Sequence, residues 1–311
     1  MLRDTTTSAM PADGALVRGR RQLGEFELIF CTDGTFRLDG GAMFGVVPKT
    51  LWQKRLPADE QNCVRLGLNT VVARRGGDVL VIETGLGNKQ SPKMREILAN
   101  HELLPASLAA AGVRVDEVTH VITTHLHFDH CGWNTVLHED GSVTPMFKNA
   151  KYFAAAGELA HGRLQLERDR VSYQGPNYDP LIASGQLTLL DPGGSAGKSM
   201  EGMEIQVSPE IMPGVWVEGF PGHTPWMLGV HLESGGEHAC YVGDLFPTRH
   251  HLDPTWVMGY DLDPLGCIEM RKKVLKRAIE EQWLVLFTHD HEVPAAYLQW
   301  NEKGKPEVKS L

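Results

Sequence analysis

The chain has 311 residues, 42% of them hydrophobic and 22% charged, a size and composition that support a full hydrophobic core without disulfide staples. Acidic side chains outnumber basic ones, 39 to 30, for a formal charge of −9. That balance argues against a nucleic-acid binder or an anionic-membrane binder, since either needs a basic face.

The five cysteines, Cys31, Cys63, Cys131, Cys240 and Cys267, are scattered and form no C-x-x-C pair. A reducing compartment, and hence a cytoplasmic protein, is the simpler expectation. The first residues lack the apolar core of a signal peptide, and no run reaches the length of a membrane-spanning helix.

In chain order, residues 1–22 are polar and end in a basic "RGRR". They read as a flexible arm, free in solvent or wrapped on a second subunit of a homodimer. Residues 23–311 read as a single domain. "EFELIFC" and "TFRLDG" flank "TDG", a turn between two short strands. "VRLGLNTVVAR" and "DVLVIETGL" make a second hairpin around "RGGD". Ser91 caps a helix in "SPKMREILAN", "PASLAAAG" is a short helix, and "HVITTH" is a strand. A strand and helix follow in "KNAKYFAAAGELAHGRLQLERDR", then a strand in "GQLTLLD" and a loop in "PGGSAGKSM". Strands return in "MEIQVSP", "GVWVEGF", "MLGVHLES" and "HACYVGD". "PLGCIEMRKKVLKRAIEEQ" is a helix with Ile268, Val274, Leu275 and Ile279 on one stripe. "WLVLFTH" is a buried-type strand, and the tail is a final strand and loop. The order describes two similar halves, each a sheet covered by helices.

"THLHFDHCGW" places His125, His127, Asp129 and His130 within six residues, directly after a strand. Charged, these groups repel; neutral, they are hard to desolvate. A bound cation removes the conflict, and imidazole and carboxylate are ordinary ligands for zinc and its neighbours. His223 in "PGHTPWM", Asp244 in "YVGDLF" and His289 in "LFTHDHE" each follow an apolar run and complete five His and two Asp. That set suffices for two ions with one carboxylate shared. His289 is preferred to His291 because it directly follows the strand. Lone histidines such as His161, His231 and His238 read as ordinary surface or core residues. Cys131 reads as a small buried residue, with no base assigned to it.

The pattern H-x-H-x-D-H, then a distant His, Asp and His, resembles the metallo-β-lactamase superfamily over about residues 65–291. The resemblance implies an α+β fold: an αβ/βα four-layer sandwich of two mixed β-sheets flanked by helices. It implies His125, His127 and His223 on one divalent ion and Asp129, His130 and His289 on a second, with Asp244 bridging. Zinc is the expected metal, with manganese, cobalt or iron as alternatives. Two such ions would share a hydroxide as nucleophile for an ester-like bond, with Asp129 relaying a proton.

Within the superfamily the likeness is to N-acyl homoserine lactonases and organophosphate hydrolases. "RLDGGAMFGVVPKTLW" is similar to a segment that forms an apolar wall over the metals, implicating Met43, Phe44, Val46 and Val47. The alternative for that stretch is a core strand with a Gly-Gly turn. Phe128 and Trp133 would pack near the metals. Those lactonases often carry Tyr three residues after the bridging Asp; here that residue is Pro247, so Tyr260 or His250 is the candidate substitute. The expected substrate is therefore a small lactone or related ester. Organophosphate or aryl ester hydrolysis, promiscuous β-lactam cleavage and a diiron redox protein are the alternatives.

Overall fold

The computed structural model describes residues 15–194, 198–207 and 210–309. Among these, nine strands form one sheet: β1 (Val17–Leu23), β2 (Phe26–Asp39), β3 (Cys63–Arg75), β4 (Asp78–Ile82), β5 (His120–Ile122), β8 (Lys151–Ala155), β9 (Leu187–Leu190), β11 (Met203–Gln206) and β10 (Ser199–Met200), in that spatial order. β6 (Thr135–Leu137) and β7 (Val143–Pro145) form a separate ribbon. The second sheet runs β12 (Glu210–Met212), β13 (Val215–Gly219), β14 (Leu228–Ser234), β15 (Glu237–Tyr241), β16 (Leu284–Leu286) and β17 (Ala295–Ala296). The tail is a hairpin of β18 (Leu298–Trp300) and β19 (Pro306–Val308), where a strand and loop were expected. The helices are α1 (Gly40–Phe44), α2 (Lys49–Trp52), α3 (Pro92–Leu98), α4 (Leu104–Ala110), α5 (Ala156–Leu164), α6 (Asp179–Ala183) and α7 (Pro264–Glu280). None is long and apolar enough to cross a membrane.

Period-two alternation builds four layers. Leu28, Phe30, Val71, Ala73, Leu80 and Ile82 face inward and share one core with Val215, Val217, Val230, Leu232, Ala239 and Leu286 of the second sheet. Their neighbours Ile29, Cys31, Val72 and Val81 face outward against Leu104 and Leu108 of α4 and Leu159 of α5. On the far side, Cys240 and Val285 meet Val274, Leu275 and Ala278 of α7. Strands this hydrophobic on both sides must be covered on both sides. The sheets are mixed: β4, β5, β8, β9 and β11 pair in parallel, as do β15 and β16, while the remaining pairings are antiparallel.

Three expectations change. "TDG" is not a hairpin turn. β2 runs straight through it with a register shift between Thr32 and Thr35 against β3. Asp33 turns inward there, fully buried, and its carboxylate accepts hydrogen bonds from Leu86 N (2.9 Å), Gly87 N (3.3 Å), Leu104 N (2.8 Å) and Trp133 Nε1 (2.8 Å). Turn-type residues serve equally well for a bulge. Second, the expected arm is structured from Val17: β1 pairs with β2 from Val17↔Cys31 to Leu23↔Phe26. Its arginines have partners, Arg20 on Glu27 at the surface (2.6 Å), Arg21 on the Tyr297 hydroxyl (2.8 Å) and Arg18 on Asn69 Oδ1 (3.1 Å). Residues 1–14 of that arm lie outside the described residues. Third, "DGGAMF" is helix rather than strand, because Asp39 Oδ1 accepts from Ala42 N (2.9 Å) and caps α1.

Asp33 ties β2 to three other segments, so Asp33→Ala leaves up to four donors without an acceptor. It should cost about 2–4 kcal/mol of stability, read as a lowered urea midpoint at unchanged m-value. A midpoint within error of wild type would refute this role.

Candidate metal centre

β5 delivers the first cluster. Its last residues run into a tight turn in which His130 N and Cys131 N both donate to His127 O (3.1 and 3.3 Å). Leu126 and Cys131 point into the outer core, which leaves His125, His127, Asp129 and His130 for the opposite side. His223 comes from the β13–β14 loop, Asp244 from the turn after β15, and His289 from the loop after β16. All lie at the carboxyl ends of strands, where side chains from both sheets converge.

The structure brings all seven together. His127 Nδ1 stands 3.1 Å from His125 Nε2 and 3.2 Å from His223 Nε2. His289 Nε2 lies 3.6 Å from Asp129 Oδ2, and His130 Nε2 lies 3.7 Å from Asp129 Oδ1. Asp244 sits between the two groups, at 3.4 Å from His223, 3.6 Å from His130 and 3.3 Å from His289. Six of the seven are buried, and Asp129 is half-buried. His291, the alternative last residue, is outside these groups.

The far side of each ring decides what faces inward. His289 Nδ1 donates to Gly67 O (2.8 Å), His223 Nδ1 to Asp261 Oδ1 (3.0 Å) and His130 Nδ1 to Glu83 Oε2 (2.5 Å). These partners only accept, so each neutral ring turns an Nε2 lone pair toward other lone pairs and carboxylate oxygens. His130 Nε2 and Asp244 Oδ1 accordingly have no hydrogen-bond partner. As a bare cluster this is repulsive. Burial and neighbouring imidazoles push His125 and His127 well below the usual histidine range. Burial opposes charge on His130, yet Glu83, Asp129 and Asp244 together pull it well above. Asp244 is also opposed by burial but is held well below the carboxylate range by His289, His130 and His223. Divalent cations resolve every one of these conflicts, so the donor set fits two metal ions.

Three carboxylates that support the cluster were not singled out by the sequence reading. Glu83 accepts from Thr124 N (2.6 Å) as well as His130, and holds a left-handed φ of +63° to do so. Glu158 of α5, fully buried, accepts from Leu126 N (3.3 Å), the Tyr173 hydroxyl (3.0 Å) and the Thr224 hydroxyl. Asp261 accepts from Met258 N (2.9 Å) and His223. The visible signal for the first two was an acid inside an apolar run.

The expected substrate residues separate. Val47, Phe128 and Tyr260 stand partly exposed at the edge of an apolar cluster that also contains Met43, Phe44 and Phe36. Phe36 touches the centre, its ring 5.2 Å from His289. Met43 and Phe44 are core rather than wall: Phe44 lies between Trp52 (5.1 Å) and His251 (4.7 Å). Val46 is 88% exposed, turned outward by the left-handed Gly45. Trp133 packs into the outer core on Asp33. His250 lines a different cleft of about 280 Å³ with Arg55, Arg249 and Lys305, and burial draws its pKa down to about 4. Tyr260 is pushed up to about 12 by burial and by the Asp129 charge, which places it in that carboxylate's field. Cys131 is no nucleophile: burial drives its thiol far above the usual range, and Sγ rests on His127 O (3.2 Å).

Residues 64–291 match the metallo-beta-lactamase superfamily, and the chain belongs to it. It is a metal-dependent hydrolase. An N-acyl homoserine lactonase of Bacillus cereus is 25% identical over 205 residues, 65% of this chain and 66% of that one. A probable metal-dependent hydrolase from Staphylococcus aureus superposes with a TM-score of 0.79 at 27% identity, covering 94% of this chain and 99% of the other. AidC, a dizinc quorum-quenching lactonase solved with a product, superposes with a TM-score of 0.74 at 20% identity, covering 96% and 99%.

His289→Ala should lower the metal-to-protein ratio by about one ion, measured by elemental analysis, while His291→Ala leaves it intact. Glu83→Gln should weaken zinc binding about 10–100-fold, as loss of an orienting partner does elsewhere. Equal metal content in His289→Ala and wild type would overturn the assignment.

Proposed function

We propose that this hydrolase opens small lactone rings of the N-acyl homoserine type, using two divalent ions, zinc foremost. The observation that carries the reading is the rim of the centre. Phe128, Val47 and Tyr260 form an apolar edge with one hydroxyl, close to a charged and otherwise buried cluster. An uncharged ester with an acyl tail suits such a surface. The likeness to the Bacillus cereus lactonase supports the same substrate class.

His125, His127 and His223 would hold one ion, Asp129, His130 and His289 the other, and Asp244 both. Bound there, the ions would supply Lewis acidity and a water of lowered pKa. The side chains do the rest. Asp129 is the most exposed of the seven, so it can take a proton from the attacking water and return it to the departing ring oxygen. Tyr260 stays protonated across the neutral range and can donate its O–H to the substrate carbonyl. Glu83, Asp261 and Gly67 O keep the His130, His223 and His289 rings in one tautomer and orientation, and Glu158 braces the backbone at Leu126.

Hydrolysis of organophosphates or aryl esters is the second reading. Pro247 leaves room for it, because proline offers no hydroxyl to a lactone carbonyl at the position where the similar lactonases often carry Tyr.

A panel of lactones of increasing chain length, beside paraoxon and a β-lactam, should show the highest kcat/KM on a lactone, abolished by chelation and restored by zinc. Tyr260→Phe should lower lactone kcat about 10–100-fold with metal content unchanged, a loss in keeping with or below that of one oxyanion donor. Preference for paraoxon, or activity indifferent to chelation, would defeat the lactonase reading.

A further inference from the structure

α7 carries an arginine where its packing asks for an apolar residue. Cys267, Arg271, Val274, Leu275 and Ala278 form one buried stripe, and Arg271 is fully buried within it. Its Nη1 donates to Trp256 O (2.7 Å), Nη2 stands 3.9 Å from Asp261 Oδ2, and the guanidinium lies 5.6 Å from the Phe246 ring. Nε and Nη2 have no hydrogen-bond partner. A buried guanidinium this poorly satisfied is weak as a stabilising device, since an apolar side chain would fill the stripe at less cost.

Its two polar contacts fall on one segment, residues 252–262. That segment carries Asp261, which fixes the His223 ring, and Trp256 and Tyr260, which border the apolar cluster beside the centre. Leu262 N donates to His223 O (3.1 Å) and Asp263 N to Gly222 O (2.9 Å), so the segment is clamped to the His223 loop. α7 is clamped there too: a side chain at Gly222 would strike Cys267. From the other side, Gly259 N donates to Ala42 O (2.8 Å), and Arg55 covers Trp256 at 3.9 Å.

We propose that Arg271 is a positioning residue that sets, through this one segment, both the hold of His223 on its metal ion and the placement of Tyr260 at the substrate rim. The inference rests on the metal-centre assignment above and deepens it. Trp256 O and Asp261 are five residues apart, and one guanidinium spans them, by a hydrogen bond to the first and an ion pair at 3.9 Å to the second.

The test uses the full-length apo-protein, titrated with zinc alone against a chromophoric chelator, and then the zinc-saturated enzyme on a lactone. In Arg271→Met one of the two zinc ions should bind about 10–100-fold more weakly while the other is unchanged. With zinc saturating, lactone KM should rise several-fold. Arg271→Lys should restore part of one effect, since an ammonium reaches Trp256 O or Asp261 but not both. Two ions bound as in wild type with an unchanged KM would overturn the proposal, and so would equal weakening of both ions. Should Arg271→Met fail to fold, Asp261→Asn keeps the arginine and the packing. It should weaken the same single ion, and intact binding of both would again overturn the proposal. A wild-type chain that takes up no zinc would instead overturn the metal-centre reading itself.

Discussion

Everything in this molecule answers to one constraint: imidazole rings whose outer N–H groups are committed elsewhere must turn their lone pairs toward one another. Gly67 O, Glu83 and Asp261 each accept an Nδ1–H, and a carbonyl or carboxylate oxygen has no proton to give in return. With the tautomers fixed from outside, the inner faces of His130, His223 and His289 can be reconciled only by positive charge. Protonation gives that at His130, where neighbouring carboxylates outweigh burial, but burial and neighbouring imidazoles oppose it at His125 and His127. Divalent cations give it directly. The strength of the centre as a metal site therefore lies in the acceptors behind the ligands as much as in the ligands.

Those acceptors explain why the fold must be this one. Gly67 belongs to β3 and Glu83 follows β4, both of the nine-stranded sheet, while Asp261 precedes α7, the helix that covers the second sheet. Bringing them within hydrogen-bond reach of one cluster requires both sheets to be packed face to face, with strand ends aligned. Asn69 of β3 shows the same dependence at the rim: its Nδ2 donates to Phe287 O (2.8 Å) and Asp290 O (2.9 Å), bracketing the loop that presents His289. Arg18 of β1 reaches both Asn69 and the carbonyl of His291. The first strand thus reinforces the loop that carries His289, across most of the sequence.

The legible part of the sequence was the part written locally. His125, His127, Asp129 and His130 share a turn, so their spacing alone exposed them, and the apolar runs of β3 and β4 around "RGGD" exposed a hairpin. The unread part is non-local. Nothing near Glu83 names His130, and nothing near Asp261 names His223, because each pairing is made by the fold. "TDG" misled for a different reason: a residue type suited to a turn is equally suited to a bulge, and only the four donors waiting for Asp33 decide between them. In "GGAMFGVV" apolar character was plain but direction was not. Phe44 became core and Val46 became surface because a five-residue helix and one left-handed glycine rotate neighbours to opposite sides.

The same geometry bears on how substrate and metal can be coupled. A rim built on an independent loop would leave the ions indifferent to what binds beside them. Here Tyr260 and Asp261 are consecutive, one at the rim and one behind His223. A shift in the backbone between them moves the hydroxyl and the ring together, since Met258 N is bonded to the same carboxylate that receives His223. Catalytic geometry tolerates errors of well under an ångström. A shared backbone meets that tolerance with fewer fixed parts than two separate loops would, so the apolar edge at Tyr260 and the carboxylate behind His223 are held in register by adjacent residues.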